Sequence, residues 1–518
     1  MSELNLFIFF ITFLIFLLLF FSTRRPSPKT TAPSPQSYPI IGNLPGFLRN
    51  RHRFHDWVTE MLSETPSSTL QVNSFLNLSH GICTANPNNL QHLLVTNFSN
   101  YIKGSRFLNV LFELLGYGIF NVDSHLWITQ RKISSYEFNT KSLRFFVSDV
   151  VNYELSDFLF PCLSNFCDDN SVFDLQNLLS RFTFTNICKL AFGVDPEFIP
   201  NLNFAKAFDD AVEICFFSRF LAPFPPLWKL KRFFNLGSEK RLKEAIQTIN
   251  DFAMEIIKSK LHEEDDNQDL LSRFIHLSST MEFEDEQHKI KFLRDIIISF
   301  VLAGKDSTST ALTWFFWLIA GNPHVAESIH RELTEAASSS SSSAAAEATS
   351  RILILSYDEL KKLDYLHAAL SETMRLFPPV PINSRSTVDD DVLPDGTHVG
   401  QGWFADYSAY AMGRMERVWG HDCREFKPER WLNGDGKYEP LDQFRFPVFH
   451  CGPRSCLGKD LAYVQMKAIV AAVVYEFEIV AVDGGASAER MVNPPYVVSL
   501  ILKMKGGLHV RLKRRERR

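Results

Sequence analysis

The sequence has few cysteines and none in a Cys-x-x-Cys pair, with 8 in 518 residues. This excludes a disulfide-rich secreted scaffold and favours a reducing compartment. No Gly-x-Gly-x-x-Gly motif is found, so the chain carries no recognisable nucleotide-binding domain or flavin module of its own. The net charge of −5 is small for this length and argues against a nucleic-acid-binding protein. Internal repeats are also absent, which leaves one large enzyme body as the simplest organisation.

An apolar segment occupies the N-terminus, from Leu4 to Phe21. Its length is close to the roughly 20 residues that a helix needs to cross a bilayer. Arg24 and Arg25 follow it, a pattern that favours an uncleaved anchor with the body on the cytosolic side. Prolines are frequent in the next stretch and predict a semi-rigid spacer. The sequence therefore predicts a membrane anchor at 1–23, a basic, proline-rich hinge at 24–45 and an enzyme domain at 46–518.

One cysteine precedes a predicted helix in a way that suits metal binding. The stretch from Phe449 to Gly458 reads Phe-His-Cys-Gly-Pro-Arg-Ser-Cys-Leu-Gly, and the apolar-periodic run 459–467 that follows it predicts a helix. Exposed N–H groups at a helix start carry partial positive charge, so we expect them to lower the pKa of the Cys456 thiol. A thiolate at this position could ligate a metal. The alternative is a buried structural cysteine in a Gly/Pro loop.

Four further residues of this stretch suit a flat cofactor that bears carboxylates. Gly452 and Gly458 have no Cβ, so the backbone can turn sharply and lie close to a ring system. Arg454 is a permanent cation suited to a cofactor carboxylate, and Phe449 supplies an aromatic cover. Together with Cys456, these residues resemble the Phe-x-x-Gly-x-Arg-x-Cys-x-Gly loop of the cytochrome P-450 haem-thiolate monooxygenases.

This resemblance implies a fold, a cofactor and partners. The expected fold is mainly α with a smaller β portion, the cytochrome P-450 fold, behind an N-terminal transmembrane helix. The expected cofactor is haem b, with Cys456 as the axial thiolate ligand of the iron. Because the chain has no nucleotide domain, NADPH electrons would arrive through a separate reductase. The hinge resembles that of microsomal members, which implies a single-pass protein of the endoplasmic reticulum membrane with a cytosolic catalytic domain.

Trp127 and Arg131 lie four residues apart in a predicted helix, and hence on one face. An indole N–H beside a guanidinium would suit a buried propionate. The pair resembles the Trp-x-x-x-Arg helix of the same family, which implies a role in haem binding. A simple cation–π contact is the alternative reading of such a pair.

A second helix carries polar residues in an apolar setting. The run 292–319 contains no proline and is apolar on nearly every face, so it predicts a buried helix. Its middle reads Ala-Gly-Lys-Asp-Ser-Thr, in which Asp306, Ser307 and Thr308 could hold water and relay protons, and in which a back-bonded hydroxyl could open a kink. The motif resembles the family's proton-delivery sequence, with Ser307 in place of the usual Thr. A polar kink without chemistry is the alternative.

A charged network is expected to support the cysteine loop. Glu372 and Arg375 lie three residues apart, on one helical face, just before a pair of prolines. With Arg430 they resemble the family's Glu-x-x-Arg and Pro-Glu-Arg elements, which implies a structural role. Gly452 and Gly458 are expected to be structural as well.

Three sequence segments outside these motifs suggest the substrate class. The segments 112–120, 410–420 and 458–462 resemble the plant clan that oxidises fatty acyl chains at or near the ω-carbon. The implied reaction is NADPH- and O₂-dependent hydroxylation of a fatty acid or oxylipin at or near a terminal carbon. Oxidation of a terminal sterol side-chain carbon stays open. Pocket walls are expected at 106–120, near Ala303, at 380–384 and at 496–499.

Other readings stay open at this point. A haem-thiolate isomerase or dehydratase would need no oxygen, and a haem-binding sensor or scaffold would show no turnover. A metal site built from His450, Cys451 and Cys456 offers no evident fourth ligand. The serine- and alanine-rich run 335–350 is expected to be a disordered loop, and the acidic run 263–266 a solvated one.

Overall fold

The chain folds mainly into helices, as the sequence predicts, with three small sheets. This computed structural model describes residues 37–38, 41–74, 80–196, 203–222, 225–262, 269–339, 352–482 and 494–516. The α-helices are α1 Leu44–Asn50, α2 Phe54–Glu64, α3 Pro87–Gln91, α4 Gly104–Leu115, α5 Ser124–Ser135, α6 Thr140–Phe145, α7 Asn152–Glu154, α8 Phe160–Asp168, α9 Leu175–Phe192, α10 Phe204–Glu213, α11 Pro225–Phe233, α12 Ser238–His262, α13 Leu270–Thr280, α14 Glu286–Val301, α15 Ser307–Gly321, α16 Pro323–Ser339, α17 Tyr357–Lys361, α18 Asp364–Leu376, α19 Ala409–Met412, α20 Glu416–Trp419 and α21 Lys459–Glu476.

The strands are β1 Thr69–Asn73, β2 His80–Thr84, β3 Tyr101–Ile102, β4 Phe173–Asp174, β5 Asn383–Thr387, β6 Asp391–Val392, β7 His398–Val399, β8 Phe404–Tyr407, β9 Phe477–Ala481 and β10 His509–Arg514. The largest sheet has the order β1-β2-β8-β5-β3, and its β2–β8 pair is parallel. The others have the orders β4-β10-β9 and β6-β7. The first sheet brings β5, which follows the prolines after α18, next to β3 and the start of α4.

The predicted buried helix crosses both large hydrophobic clusters of the interior. Asp285 caps its start by accepting a hydrogen bond from the His288 N–H at 2.9 Å. The segment up to Leu302 packs in one cluster, and the segment from Ala311 packs in the other. Between α14 and α15, residues 302–306 form a π-helical turn. The helix therefore carries its irregular turn at the centre of the molecule, where the sequence places the polar motif.

Several other predictions can be compared with the structure. The sequence also predicts early strands at 70–75 and 81–84, and the structure has β1 and β2 at these places. The predicted anchor at 1–23, most of the hinge at 24–45 and the acidic run at 263–266 lie outside the described residues. Within the described ranges, no helix combines the length and hydropathy needed to cross a bilayer.

The expectation of a disordered loop at 335–350 is wrong for its first residues. Helix α16 continues through Ser339, and Ala336 packs against the larger hydrophobic cluster. Alanine has the highest helix propensity, and the Ser338 hydroxyl donates to the Thr334 carbonyl at 2.9 Å, so the helix persists into the low-complexity run. Residues 340–350 lie outside the described ranges.

Candidate functional site

The cysteine loop is a tightly turned segment that ends at α21, as predicted. The Cys456 N–H donates to the Phe449 carbonyl at 2.8 Å and closes the loop on itself. His450 and Gly452 have positive φ angles of 59° and 65°. A Cβ on Gly452 would lie 2.2 Å from the Leu94 carbonyl oxygen, so only glycine allows the loop to lie against this neighbouring turn.

The Cys456 side chain is exposed, although protein surrounds it on most sides. Burial raises the pKa of its thiol, while the Gly458 N–H and the charges of Arg131 and Lys459 act in the opposite direction. The pKa of the Cys456 thiol is therefore raised, and the prediction that it is lowered is wrong. Desolvation outweighs the helix start here, and the charge of a bound metal ion would favour the thiolate, because a metal ion deprotonates a coordinating thiol. A Cβ on Gly458 would lie 3.4 Å from the Phe138 ring and 3.9 Å from the Cys456 sulfur, which are ordinary contacts, so space alone does not require a glycine at this position.

Buried cations gather around the loop. The Arg454 guanidinium lies 4.5 Å from the ring centre of Trp127, and the Arg131 guanidinium lies 5.8 Å from the same ring. The predicted Trp127 and Arg131 pair is thus brought together with Arg454. Burial, together with Arg385, lowers the pKa of Arg454 to about 10, and burial with nearby cations lowers the pKa of His450 to about 3.

This cluster fits the carboxylates of a haem group. Among the described residues, the buried Nε and Nη2 atoms of Arg385 and the Nε of Arg454 have no hydrogen-bond partner. Burial also lowers the pKa of Lys103, which lies close to Arg385 and Arg454. Unpaired buried donors and closely spaced cations are costly unless an anion compensates them. Two propionates beside an accessible cysteine would satisfy these groups, so the residues present fit a haem.

Sequence reasoning missed Arg385, Lys103 and His450 as members of this cluster. Arg385 belongs to β5, and His450 is fixed by a hydrogen bond of 2.7 Å between its Nε2 and the Asn383 Oδ1. Lys103 begins the turn into α4. These residues come from separate segments that only the sheet brings together. The arginine shortly after the two prolines, in β5, is the one local signal that could have suggested Arg385.

The polar motif of the long helix opens toward an interior space. Ala303 is exposed and Gly304 and Ser307 are half-buried, whereas the helix on either side is buried. The Ser307 hydroxyl donates to the Ala303 carbonyl at 2.6 Å, which confirms the predicted back-bonded hydroxyl at an irregular turn. A Cβ on Gly304 would lie 2.5 Å from Ile187, so α9 packs directly on this backbone. Thr308 is buried behind Ser307.

Asp306 belongs to a buried charge network. Its Oδ1 lies 2.8 Å from the Lys305 Nζ and 3.2 Å from the Lys503 Nζ, and both lysines also contact Asp209 of α10. Burial opposes ionisation of Asp306, but the two lysines outweigh it and lower the pKa of the carboxyl. Within the described part of the chain, its buried Oδ2 has no hydrogen-bond partner. Asp306 therefore carries a charge in the interior and keeps one oxygen available for a water molecule.

The predicted support network is present. The Glu372 carboxylate accepts from the Arg375 guanidinium at 2.7 and 2.8 Å and from the Arg430 Nε at 3.0 Å, and it is fully buried. The Trp431 indole N–H adds a hydrogen bond of 2.9 Å that the sequence did not suggest. The Trp431 ring packs on Phe446 at 4.7 Å, so the network extends to a residue three positions before the cysteine loop.

An apolar pocket adjoins this site. Its lining residues are Phe107, Val110, Leu111, Phe216, Phe220, Ile382, Asn383, Ser384 and Leu500. Parts of the predicted walls at 106–120 and 380–384 line this pocket, whereas Ala303 and residues 496–499 do not. Phe216 and Phe220 were missed; they lie in the π-helical turn Ile214–Phe220 that follows α10. Tyr496 does not line this pocket; its hydroxyl donates a hydrogen bond to Asp56 Oδ2 at 3.0 Å. Asn383 links the pocket to the cysteine loop through His450.

The alternative metal site does not assemble. The Cys451 thiol is buried and donates to the Gln443 carbonyl at 3.1 Å, and His450 is engaged by Asn383. In the described ranges, no group of three or more His, Cys, Asp or Glu side chains is arranged to hold a metal ion. A single accessible thiol amid buried cations suits a porphyrin-held iron.

A mainly helical fold with this thiol, these cations and this buried helix defines a haem-thiolate protein. The family profile described as Cytochrome P450 matches residues 32–506, so the chain belongs to that family. It is similar to Cytochrome P450 94A1 of Vicia sativa, at 44% identity over 93% of this chain and 91% of the relative. It is also similar to Cytochrome P450 CYP94D108 of Paris polyphylla, at 43% identity over 95% and 93%, and to Cytochrome P450 94B1 of Arabidopsis thaliana, at 41% identity over 97% and 96%. The protein is a haem-thiolate monooxygenase.

Proposed function

We propose that this enzyme hydroxylates a fatty acid or oxylipin at or near its terminal carbon. The observation that carries the proposal is the similarity to plant cytochromes P450 numbered 94, at 41–44% identity over most of the chain. A small apolar pocket of about 30 Å³ beside the cysteine loop has walls of matching chemistry. Its phenylalanine, leucine and isoleucine side chains suit an aliphatic chain, and a pocket of this kind gives affinity by removing apolar surface from water. The similarity to plant cytochromes P450 numbered 94 supports the same substrate class, in line with the resemblance to fatty acyl oxidases.

The residues around Cys456 would hold the cofactor. Cys456 would supply the thiolate ligand of the iron, and Trp127, Arg131, Arg385 and Arg454 would bind the carboxylates of the haem. With haem bound, the iron centre supplies the oxygen activation that hydroxylation of an unactivated C–H bond requires. We expect Phe449, whose ring lies 5.3 Å from that of Tyr463, to cover the thiolate side when haem is bound.

The polar turn of the long helix would handle protons. Asp306 holds its negative charge because Lys305 and Lys503 stabilise it, and its Oδ2 can bind water. Ser307 faces the opened space and can pass a proton from its hydroxyl, while its bond to Ala303 fixes the oxygen. Thr308 packs behind them and maintains the turn. This assignment favours an oxygen-using reaction over the isomerase and sensor alternatives.

Location and electron supply form part of the proposal. We infer a single-pass protein of the endoplasmic reticulum membrane with a cytosolic catalytic domain and an NADPH-dependent reductase as partner. An exposed cluster supports proximity to lipid, and we call it the α11 patch: Leu227, Leu230, Phe233, Phe234 and Leu236. Lys229, Lys231 and Arg232 lie among these residues and would favour an anionic membrane surface.

Microsomal turnover with reductase, NADPH and O₂ tests the function. The substrate panel consists of fatty acids, jasmonoyl-amino acids and hydroxysterols, with products located by mass spectrometry. We expect hydroxylation of acyl substrates at or near the terminal carbon. Sterol products alone would support the sterol alternative, and conversion without O₂ and NADPH would support the isomerase. The matched control is the Cys456→Ala variant, in which turnover should cease.

A further inference from the structure

A guanidinium lies at the edge of the apolar pocket, in contact with two residues that line it, Phe220 and Ser384. Arg106 lies in α4, and its guanidinium carbon is 4.4 Å from the ring centre of Phe220 and 4.1 Å from that of Phe404. Phe220 also lines the pocket. Contacts with two aromatic faces hold a cation by its quadrupole attraction and restrict the orientation of the guanidinium. A fixed positive charge is thus presented beside a space that is otherwise mainly apolar.

Arg106 uses only some of its hydrogen-bond donors within the described part of the chain. Its Nη1 donates to the Ser384 Oγ at 3.2 Å and approaches the Asp406 Oδ1 at 3.5 Å, the outer limit for such a bond. A guanidinium has five N–H donors. Among the described residues, the hydrogen bonds of Arg106 use Nη1 alone, and the side chain is 29% exposed. Its Nε and Nη2 are therefore available for a bidentate anionic ligand.

The internal counter-charge of Arg106 is incomplete. Asp406 accepts a hydrogen bond of 2.5 Å from the Ser384 hydroxyl, and burial raises the pKa of its carboxyl. Burial likewise lowers the pKa of Arg106. The raised pKa of Asp406 and the lowered pKa of Arg106 both show that burial destabilises the charged forms of this pair. A second carboxylate on the open side of the guanidinium would therefore be stabilised.

This cation is separate from those that face the cofactor. Lys103, one turn earlier, interacts with Arg385, Arg454 and Asp123, whereas Asp406 is the charged group that acts on Arg106. Asn383 lies between the two regions, since it lines the pocket and hydrogen-bonds to His450 of the cysteine loop. A chain held at Arg106 would have to pass Asn383 to reach the site of Cys456.

Building on the proposed function, we propose that Arg106 binds the carboxylate of the acyl substrate and so directs the opposite end of the chain toward the reacting centre. Arg106 is then a specificity-determining residue. It selects free acids over neutral lipids of the same length, and by fixing one end of the chain it sets which carbon is presented. A sterol, which lacks a carboxylate, would gain nothing from this residue.

The test compares dodecanoic acid with its methyl ester in wild type and in Arg106→Gln, both loaded with haem. Dissociation constants come from the substrate-induced change in haem absorbance, and product positions from mass spectrometry. We expect wild type to bind the acid more tightly than the ester. In Arg106→Gln the dissociation constant for the acid should rise about 10- to 100-fold, the effect of losing a hydrogen bond to a charged group. The ester should be unaffected, and products from the acid should spread inward from the terminal carbon.

The exposed arginine Arg241, which pairs with Asp210 at the surface, gives the matched control. Arg241→Gln should bind acid and ester as wild type does. If wild type hydroxylates both compounds with equal affinity, or if Arg106→Gln weakens both equally, Arg106 has only a structural role and the inference is overturned while the proposed function stands. If wild type binds neither compound and turns over only sterols, both fail. Should Arg106→Gln not incorporate haem, the wild-type preference and the Arg106→Lys variant, which keeps the charge, decide the question: Lys should retain the preference for the acid.

Discussion

At the scale of single residues, Cys456 and Cys451 lie in one loop and differ in their surroundings. Cys456 is exposed toward the proposed cofactor site, whereas Cys451 is buried, donates to Gln443, and has its pKa raised by burial to about 12. We expect Cys456→Ala to abolish turnover and the long-wavelength Soret band of the reduced carbon monoxide complex. Cys451→Ala should retain both and lose about 1 kcal/mol of stability. A long-wavelength band in Cys456→Ala would contradict the ligand assignment.

Lys503 is one of the two lysines that stabilise the charged form of Asp306. Because its folded pKa is lowered, Asp306 contributes stability that is present above its unfolded value of 3.8 and lost as the pH falls through the lower folded value. Lys503→Met removes one of the two stabilising cations and raises the folded pKa. We expect a loss of about 1–2 kcal/mol at neutral pH, measured by thermal unfolding.

The pH dependence distinguishes this effect from lost packing. The difference between wild type and Lys503→Met should narrow as the pH falls below 3.8 and through the lowered folded pKa of wild type, because Asp306 is then protonated in both proteins. The exposed neighbour Lys505 provides the control, and Lys505→Met should match wild type throughout. A difference that stays constant with pH would exclude Asp306 as its source.

The sequence predicts those site residues that stand in a local pattern. Cys456, Arg454 and the Trp127–Arg131 pair each belong to a short motif, and the structure brings them together. Arg385 and Lys103 belong to no such motif, since strand pairing rather than sequence proximity places them near the loop. The direction of the thiol pKa was also missed, because burial depends on the whole fold and outweighs the local helix start.

At the scale of elements, Gly452 fixes the cysteine loop against the turn that contains Leu94. Gly452→Ala would incur the cost of a positive φ and a clash of its Cβ with a backbone carbonyl. Gly436, with a φ of 73° and open space around it, separates the two effects. We expect Gly436→Ala to cost about 1–2 kcal/mol from backbone strain alone. Gly452→Ala should cost more and reduce haem incorporation, measured as the haem-to-protein ratio. Equal effects would show that the contact with Leu94 is not important.

Glu372 joins α18 to the segment that carries Arg430 and Trp431. Glu372→Gln leaves two arginines without their shared carboxylate in the interior, so we expect a loss of about 3–5 kcal/mol in stability and little haem incorporation. The exposed Glu439 offers a control in the same region, and Glu439→Gln should stay within about 0.5 kcal/mol of wild type. Thermal unfolding and haem content measure both. A stable, haem-loaded Glu372→Gln would refute the proposed support role.

Elements were predicted best where one periodicity persists. The long helix and α21 follow from uninterrupted apolar runs, and both are confirmed. The low complexity of the sequence predicts disorder at the end of α16, but Ala336 contacts the interior and the helix continues there. The π-helical turn at 302–306 could be expected only as a kink, since its hydrogen-bond pattern depends on the packing of α9 against Gly304.

At the scale of the whole molecule, the α11 patch predicts contact with lipid that does not depend on the N-terminal segment. Phe233 is 82% exposed and Phe234 is 59% exposed. We expect a variant that lacks residues 1–36 to cosediment with vesicles of phosphatidylcholine and phosphatidylserine. Phe233→Ser with Phe234→Ser should weaken this binding about 10-fold or more. Phe145→Ser, at another exposed phenylalanine, is the control and should bind as its parent does. If the truncated parent, the double variant and Phe145→Ser all bind the vesicles equally, a surface other than the α11 patch contacts the lipid.

The chain as a whole was predictable to the level of fold class and family, because its motifs recur in a fixed order. The substrate pocket was only partly predictable. Its walls come from α4, β5, Leu500 and the turn after α10, and the last of these contributes Phe216 and Phe220 without any motif. The relative placement of such segments depends on tertiary packing, which local sequence does not encode.

The wide turn at 302–306 has a consequence for how chain length can vary in this protein. A π turn accommodates one residue more than an α turn does. Deletion of a single residue there could close the helix into a regular spiral while the halves before and after it keep their neighbours. A deletion elsewhere in α14 or α15 would instead rotate one half by about 100° about its axis and expose its apolar face. This turn is thus the one place along the helix where natural variation in length could be absorbed without rebuilding the interior.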